Sequence, residues 1–472
     1  MRKSIFSLLA LLALLVSCKK NNPETTTTDG VAMRYYGNIF AYNVMNSYYL
    51  WKNDIADKVK TWPTDADPVE QVKEVRVSQD HWTALYEDAT IFEGSVTGTQ
   101  TTMGLDITPV WADEQQTRVA ALVNFTYADS PARKAGLKRG DVIMTIDGSD
   151  ITKDNYSTEL SKLYYASQVQ IGLYDGRTLD LKAVMMYENP VHLATILYYG
   201  GKKIGYLHFT NFTLTSCRDL ETAFSHFKAQ GIDELVLDLS YNGGGYVITA
   251  NVLASMIAPL TAVQEKAVYT KEVYNDILDD DMSEDTCFAP EFTLDLDEGK
   301  TVIHTADANP GLERLWVLTT SDTASASEAL ICGLKPYMPV TLVGHTTHGK
   351  FCGGVLVKAP DWYKAVEKEN PGKMNTQEAI GVLPQMGLYV IISRYADCNG
   401  VTLSMPDGIP AEIPADDKPW ETTELGEPTE NMLSVALQAI TDIAPPAATT
   451  KASAPSPTPV PFPRPGFGVL LH

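Results

Sequence analysis

The feature that most constrains the fold is an alternation of short apolar runs with helical patterns between residues 190 and 420. The runs are apolar along their whole length, as is typical of strands that are buried on both faces. The predicted strands lie at 204–209, 235–239, 315–319 and 340–343, and the predicted helices at 217–230 and 327–337. Repeated βαβ units predict an α/β domain, which we place at 190–440, with open loops at the strand ends.

The rest of the chain divides into segments of different texture. Aromatic residues at helical spacing predict a small helical N-terminal domain over 31–95. Strand-like runs at 119–125, 142–146 and 169–173, separated by Gly and Asp turns, predict a small β-rich domain over 100–187. Residues 270–300 and 359–380 are polar, and we expect surface loops or hairpins there. The proline-rich stretch 445–472 predicts a disordered tail.

Charge and cysteine content exclude some classes of function. The 472 residues carry a net charge of −22, which disfavours binding to nucleic acid or to anionic lipid. The chain has no CxxC, HExxH, P-loop or strand-borne GxGxxG motif, so we expect neither a metal nor a nucleotide cofactor. Beyond residue 18 the cysteines are five and widely spaced, which does not suggest a disulfide framework, and a single bridge is left open.

The first residues predict a lipid anchor. A basic start and a short apolar run end in 15–18, which fit the lipobox of bacterial lipoproteins. We therefore expect residues 1–18 to be a signal peptide with its lipobox, Cys18 to be acylated, and residues 19–30 to form a flexible tether. The expected location is the bacterial cell envelope, on the outer membrane and facing the periplasm.

Ser325 is the first candidate for chemistry. It lies between a predicted buried strand and a helix, so it is expected at a helix N-terminus, where free N–H groups and the positive end of the helix dipole favour a nucleophile. The alternative is ordinary N-capping, with Glu328 as the capping-box partner. That alternative would prevail if the serine stood alone.

Two further loops follow other predicted strands. Gly243 and Gly244 lie in a run of three glycines, whose bare amides could bind an oxyanion. Lys350 ends the loop after the strand at 340–343. A serine, a glycine loop and a lysine thus all fall at strand ends of one α/β domain. The alternatives are a flexible loop and a solvated surface lysine.

The segment 130–143 resembles the core signature of PDZ domains, and 103–107 resembles the carboxylate-binding loop of that family. The resemblance implies that Gly104, Leu105, Asp106 and Ile107 bind a peptide, through converging N–H groups and a strand edge. An unrelated small β domain is the alternative.

Taken together, these motifs resemble those of the C-terminal processing peptidases. The 324–328 run, the Gly349–Lys350 step and their separation (350 − 325 = 25 residues) match the serine and lysine motifs of that family. The resemblance implies a crotonase-like α/β protease domain, with a PDZ domain that presents protein or peptide substrates. It also implies Ser325 as nucleophile, Lys350 as general base, and the amides of Gly243, Gly244 and Ala326 as the oxyanion hole.

One residue departs from the family pattern. The family commonly has Gln or Glu four residues after the lysine, where this chain has Gly354. Lys350 must then be oriented by another group, and a route through His345 or His348 is a second mechanism. A catalytically impaired, PDZ-containing, peptide-binding lipoprotein is the alternative function, and a crotonase-like enzyme of acyl thioesters is a third. The sequence does not decide whether the helical domain forms a homodimer. It also does not decide whether the chain's own tail occupies the PDZ groove.

Overall fold

The computed structural model describes residues 29–90, 99–282, 285–296, 299–403, 405–421, 423–446 and 458–460. The predicted signal peptide, Cys18 and most of the tether lie outside these residues, as does most of the proline-rich stretch. The described part is a mixed α/β structure, as the sequence predicted.

The helices are α1 Asp29–Tyr48, α2 Ala56–Val59, α3 Pro68–Val75, α4 Pro131–Lys134, α5 Tyr156–Tyr165, α6 Ser216–Gln230, α7 Val247–Ile257, α8 Leu260–Gln264, α9 Asp279–Met282, α10 Thr305–Ala308, α11 Ala326–Leu334, α12 Ala359–Glu369, α13 Thr376–Val382 and α14 Asn431–Thr441. The strands are β1 Ala84–Tyr86, β2 Thr99–Thr102, β3 Leu105–Trp111, β4 Val119–Thr126, β5 Val142–Ile146, β6 Ser149–Asp150, β7 Gln168–Leu173, β8 Thr178–Lys182, β9 Val184–Tyr187, β10 Val191–Tyr199, β11 Lys202–Phe209, β12 Glu234–Asp238, β13 Val268–Tyr274, β14 Thr286–Cys287, β15 Phe292–Leu296, β16 Gly299–Ile303, β17 Leu315–Thr319, β18 Val340–Gly344, β19 Cys352–Lys358, β20 Gly387–Asp397 and β21 Ile413–Pro414.

The sheet that organises the molecule has the order β10-β11-β12-β17-β18-β21. All its pairings from β11 to β21 are parallel, and only β10 runs antiparallel to its neighbour. Parallel neighbours need crossover connections, and helices α6, α7 and α11 lie in those connections. β12 and β17 are buried along their whole length, which explains why their sequences are continuous apolar runs.

A second sheet comes from the segment between 99 and 187. Its order is β3-β4-β5-β7-β8, with the short β6 paired to β5. β3 is the first strand of that order, so it has β4 on one side and stands at the sheet edge on the other. Residues of α4 and α5 pack on this sheet in one apolar cluster, which includes Ala132, Leu160 and Leu163.

The N-terminal helices share their core with residues much later in the chain. One apolar cluster joins Phe40 and Met45 of α1 to Trp362 and Tyr363 of α12 and to β20. The expectation of polar surface loops over 359–380 is therefore wrong. α12 and α13 occupy most of that range, and their apolar residues recur at helical spacing and cover the N-terminal helices.

A buried arginine connects the second sheet to the parallel sheet. Arg139 donates hydrogen bonds to Asp417 Oδ1 at 2.6 Å, to Tyr241 Oη at 2.7 Å and to the Thr423 carbonyl oxygen at 3.0 Å. Glu430 Oε1 lies 3.5 Å from the same guanidinium. A guanidinium that loses its hydration needs such a full set of acceptors, so this network holds the two sheets in a defined relation.

Some general features of the described residues bear on function. Cys217, Cys287, Cys332, Cys352 and Cys398 are free thiols. No group of three or more His, Cys, Asp or Glu residues in the described ranges could hold a metal ion. Among the helices that the structure describes, none has both the length and the apolar character needed to cross a membrane.

Candidate active site

Three loops meet at the carboxyl edge of the parallel sheet. β12, β17 and β18 are consecutive neighbours in that sheet. The glycine loop follows β12, Ser325 follows β17, and Lys350 follows β18. Because the carboxyl ends of adjacent parallel strands lie side by side, loops that are far apart in sequence come together.

Ser325 stands at the N-terminus of α11 in an unusual backbone conformation. Its φ is 59° and its ψ is −110°, a region that residues other than glycine rarely adopt. Such strain, commonly worth about 1–3 kcal/mol, is found at functional sites that hold a side chain in a defined direction. Ser325 is fully buried, and its Oγ makes no hydrogen bond of normal geometry with the described residues.

The glycine loop packs directly on the Ser325 turn. A Cβ atom on Gly244 would lie 2.8 Å from Ser325 Cβ and 3.1 Å from the Ala326 nitrogen, so only glycine fits there. The two loops are also joined by hydrogen bonds, since Ala324 N–H donates to the Asn242 carbonyl oxygen at 3.1 Å. The structure thus brings Gly244, Ser325 and Ala326 together.

The amides of these residues are in different states. Gly244 N–H donates to the Asn242 side-chain oxygen at 2.9 Å. Gly243 is partly exposed. Ala326 is the first residue of α11, so its N–H has no acceptor within the helix. In this conformation the Gly244 amide already has an acceptor within the glycine loop.

Lys350 is buried beneath this edge of the sheet. The residue is only 1% exposed, and burial lowers the pKa of its amine to about 8, against the opposing effects of Cys352, Glu328 and Asp80. A lysine can act as a general base only as the neutral amine, so a lowered pKa is the direction that this role needs. An amine with a pKa near 8 is neutral in a useful fraction of molecules near neutral pH.

Glu328 connects the serine turn to the lysine loop. One carboxylate oxygen accepts the N–H of Ser325 at 2.8 Å. The other accepts the Thr347 hydroxyl at 2.6 Å and the N–H of Gly349 at 2.7 Å. Burial raises the pKa of Glu328 while these donors oppose the shift. The capping partner predicted for the serine therefore also fixes the residue that precedes Lys350.

Tyr389 occupies the space beside Gly354, the position that departs from the family pattern. A Cβ atom on Gly354 would lie 2.6 Å from Tyr389 Cζ and 2.7 Å from its hydroxyl oxygen. The Lys350 Nζ atom lies 5.4 Å from the centre of the Tyr389 ring, within the range of a cation–π contact. The side chain that contacts the Lys350 amine thus comes from Tyr389 of β20, and the glycine at 354 leaves room for the tyrosine ring.

The two histidines of the loop after β18 face outward. His345 is exposed and its Nε2 lies 3.1 Å from Asp416 Oδ1. His348 is exposed and its Nδ1 pairs with the Ser321 carbonyl oxygen at 3.0 Å. Thr347 lies between them in sequence and is buried. Lys350, two residues after His348, is buried too. The loop therefore turns its threonine and lysine inward and its histidines toward solvent.

The predicted peptide-binding residues lie at the start of β3. Gly104 has a φ of 71°, and any Cβ atom there would clash with Ser130 at 2.3 Å. Its N–H donates to the Thr102 hydroxyl at 2.9 Å. Leu105 and Ile107 are buried in the apolar cluster of this sheet, and the Asp106 carboxylate accepts from Asn124 at 2.6 Å. Their backbone, rather than their side chains, is what remains for a ligand.

Two contributors to this site escaped the sequence analysis. Tyr389 has no local signal because it comes from a distant strand, and only the glycine at 354 marks the space it fills. Asp80 is buried and acts electrostatically on Lys350, although it comes from the N-terminal segment. The sequence gives no sign of this role for Asp80, because the residues near it contain no catalytic motif.

The chain is similar to known proteins over the region that carries this site. Residues 203–403, which include all three loops, match the family model described as Peptidase family S41. The chain is 29% identical over 277 residues to the chloroplastic C-terminal processing peptidase of Tetradesmus obliquus, a match that covers 54% of this chain and 52% of that protein. It is 24% identical over 314 residues to a Staphylococcus aureus (strain COL) protein named Probable CtpA-like serine protease, covering 66% of this chain and 55% of that one. The chain thus spans about half the length of the curated relatives it matches.

A solved structure shares the fold over a greater length. The crystal structure of a Bacteroides fragilis NCTC 9343 protein that carries an S41 protease name superimposes with a TM-score of 0.65 at 24% identity. The match covers 86% of this chain and 98% of that one. Residues 203–403 thus form a domain of peptidase family S41.

Proposed function

We propose that this chain is a serine endopeptidase that cleaves partly unfolded or C-terminally recognised proteins through a Ser325/Lys350 dyad. The observation that carries the proposal is the meeting of three loops at one sheet edge, with a buried serine hydroxyl, a glycine loop and a desolvated lysine. Each loop matches one requirement of acyl transfer, namely a nucleophile, oxyanion donors and a base.

In the proposed mechanism, neutral Lys350 Nζ takes the proton of Ser325 Oγ as that oxygen attacks the substrate carbonyl carbon. The amides of Ala326 and of Gly243 or Gly244 stabilise the resulting oxyanion. The Lys350 ammonium then protonates the leaving amine, the C–N bond breaks, and an ester to Ser325 remains. Water attacks this ester with Lys350 again accepting a proton, which finally returns to Ser325 Oγ.

The buried Ser325 hydroxyl has a further consequence for the proposal. A substrate carbonyl cannot approach an oxygen that solvent does not reach, and the Gly244 amide is engaged by Asn242. We therefore infer that a small rearrangement of the glycine loop precedes catalysis. Release of the Gly244 N–H from Asn242 would supply the additional oxyanion donor.

We further propose that the segment 100–187 is a PDZ domain that presents substrate, and that the peptidase domain is crotonase-like. The edge position of β3 and the tight turn at Gly104 support strand-type peptide binding. The lipid anchor at Cys18, the outer-membrane location facing the periplasm, and the homodimer remain proposals drawn from the sequence.

The test is proteolysis of an unfolded substrate. Protein lacking residues 1–18 is incubated with casein beside Ser325→Ala and Lys350→Ala variants. We expect cleavage by the parent and none by either variant. Cleavage that survives Lys350→Ala would move the base elsewhere, and cleavage that survives Ser325→Ala would refute the proposal.

The second candidate function is a peptide-binding lipoprotein with impaired catalysis. Gly354 in place of Gln or Glu favours it, as does the engaged Gly244 amide. Binding of apolar peptides, together with casein that stays intact even in the presence of those peptides, would support this candidate over the first.

A further inference from the structure

Residues 458–460 lie along β3 as an added strand. Trp111 N–H donates to the Thr458 carbonyl oxygen at 2.9 Å, and Val460 N–H donates to the Pro109 carbonyl oxygen at 2.9 Å. Pro459 stands opposite Val110 in an antiparallel bridge. These two hydrogen bonds flank one facing pair, which is the regular pattern of an antiparallel ladder. The segment therefore occupies the sheet edge that β4 leaves open.

The contact also buries a side chain. Val460 is 6% exposed and belongs to the same apolar cluster as Ile107 of β3 and Leu163 of α5. Backbone pairing to a strand edge, with one side chain inserted beside it, is how sheets bind extended peptides. Here the bound peptide is part of the chain itself.

The proline positions suit this contact. The bonds to β3 use the carbonyl of Thr458 and the N–H of Val460, so the missing N–H of Pro459 loses nothing. In the sequence every second residue from Pro455 to Pro465 is proline. Successive residues of an extended chain direct their N–H groups to opposite edges, so a proline at every second position leaves N–H donors along one edge only. Such a segment can pair with one strand, but its other edge cannot pair with a further strand in the same way.

We propose that residues 458–460 are an intramolecular ligand of the β3 edge and compete there with extended segments of protein substrates. A competing segment needs three consecutive residues. The first accepts a hydrogen bond from Trp111 N–H through its carbonyl oxygen, and the second needs no N–H. The third donates its N–H to the Pro109 carbonyl oxygen and carries an apolar, branched side chain. This inference rests on the proposed function only in treating β3 as the acceptor for substrate. A tethered ligand acts at an effective concentration on the order of millimolar, so a weak contact in trans is sufficient in cis.

A binding experiment in the Ser325→Ala background tests the competition without requiring hydrolysis. A fluorescent peptide of residues 454–464 is titrated into the full chain and into a variant that ends at residue 446, and anisotropy is recorded. We expect the shortened variant to bind about tenfold more tightly or better. The same peptide with Val460→Asp is expected not to bind, because it would bury an unpaired carboxylate.

Point variants of the full chain guard against misfolding of the shortened one. Val460→Asp should bind the peptide as the shortened variant does, whereas Val469→Asp, the same change nine residues later, should behave as the parent. Hydrogen exchange at the Trp111 amide should be slow in the parent and fast in Val460→Asp.

Equal peptide affinity in parent and Val460→Asp, or an unprotected Trp111 amide in the parent, would overturn the proposal. Neither readout depends on catalysis, so failure of the endopeptidase proposal is seen separately in the casein assay. If both proposals hold, Val460→Asp in the active background cleaves casein faster than the parent does.

Discussion

Glu328 and Gly349 are 21 residues apart in sequence, yet the carboxylate of the first accepts the N–H of the second at 2.7 Å. The other oxygen of that carboxylate accepts the N–H of Ser325. One buried side chain therefore sets the relation between the candidate nucleophile and the loop that carries the candidate base.

Replacement of Glu328 by Gln should damage both stability and activity. The amide would turn an N–H₂ group toward donors that need an acceptor, leaving at least one buried donor unpaired at a cost of about 2 kcal/mol or more. Urea unfolding and casein cleavage measure the two effects. Glu313→Gln, at an exposed position, serves as the control. An unchanged urea midpoint in Glu328→Gln would contradict the prediction.

The pH dependence of cleavage should report Lys350. Because burial lowers its pKa to about 8, kcat/KM should rise about tenfold per pH unit below pH 8 and level off above it. The measurement is a pH–rate profile with an unfolded or peptide substrate. A plateau that extends down to pH 6 would exclude a lysine with this pKa as the base.

Lys350 should also cost stability at neutral pH. Its pKa in the folded chain is about 8 and lies below the ordinary lysine value of 10.5. The unfolded chain therefore binds more protons between about pH 8 and pH 10.5, and stability rises with pH through that window. Below pH 8 the cost is about 3 kcal/mol. Lys350→Met should therefore raise the free energy of unfolding at pH 7 and lose that advantage towards pH 10.5. The exposed Lys368→Met is the control, and a gain that does not depend on pH would argue against this account.

Gly354→Ala should impair the site by displacing Tyr389. The new Cβ would lie 2.6 Å from the tyrosine ring, so the ring must move away, and its contact with Lys350 would be lost. We expect kcat to fall by about tenfold or more. In Gly381→Ala, where nothing lies within 4 Å of the added atom, kcat should stay at the parent value. Full activity of Gly354→Ala would show that Lys350 does not need the contact with Tyr389.

Tyr389→Leu tests the same contact from the other side. Loss of the ring removes stabilisation of the ammonium form, so the apparent pKa of the rate profile should move down as the plateau value of kcat falls. A fall in kcat with no movement of the apparent pKa would indicate a packing role only.

Arg139→Met should destabilise the chain by about 3–5 kcal/mol, because the carboxylates of Asp417 and Glu430 would lose their buried partner. Chemical denaturation provides the measurement. Arg118→Met breaks a largely exposed pair with Asp150 and should cost under about 1 kcal/mol. Comparable losses in the two variants would mean that the buried network is not what joins the sheets.

The elements were predictable where one physical signal dominates. β17 and β5 begin and end at the predicted residues. β17 is a continuous apolar run that is buried along its whole length, and β5 is a short apolar run that ends at the Asp147–Gly148 turn. α6 ends at Gln230 because Gly231 follows in the left-handed conformation. The prediction of surface loops over 359–380 was wrong because the many polar residues of this region hid an apolar helical stripe formed by Trp362, Tyr363 and Val366.

The candidate site divides in the same way. The sequence by itself determined that a serine at a helix N-terminus, a glycine loop and a lysine would follow three strands, because strand ends and glycine runs are local features of the chain. Only the tertiary structure decided that β12, β17 and β18 are neighbours, that Glu328 joins two of their loops, and that Tyr389 fills the space above Gly354. Burial and its effect on the pKa of Lys350 also belong to the tertiary structure. Desolvation depends on atoms from every part of the chain that surround a group, and no local pattern encodes them.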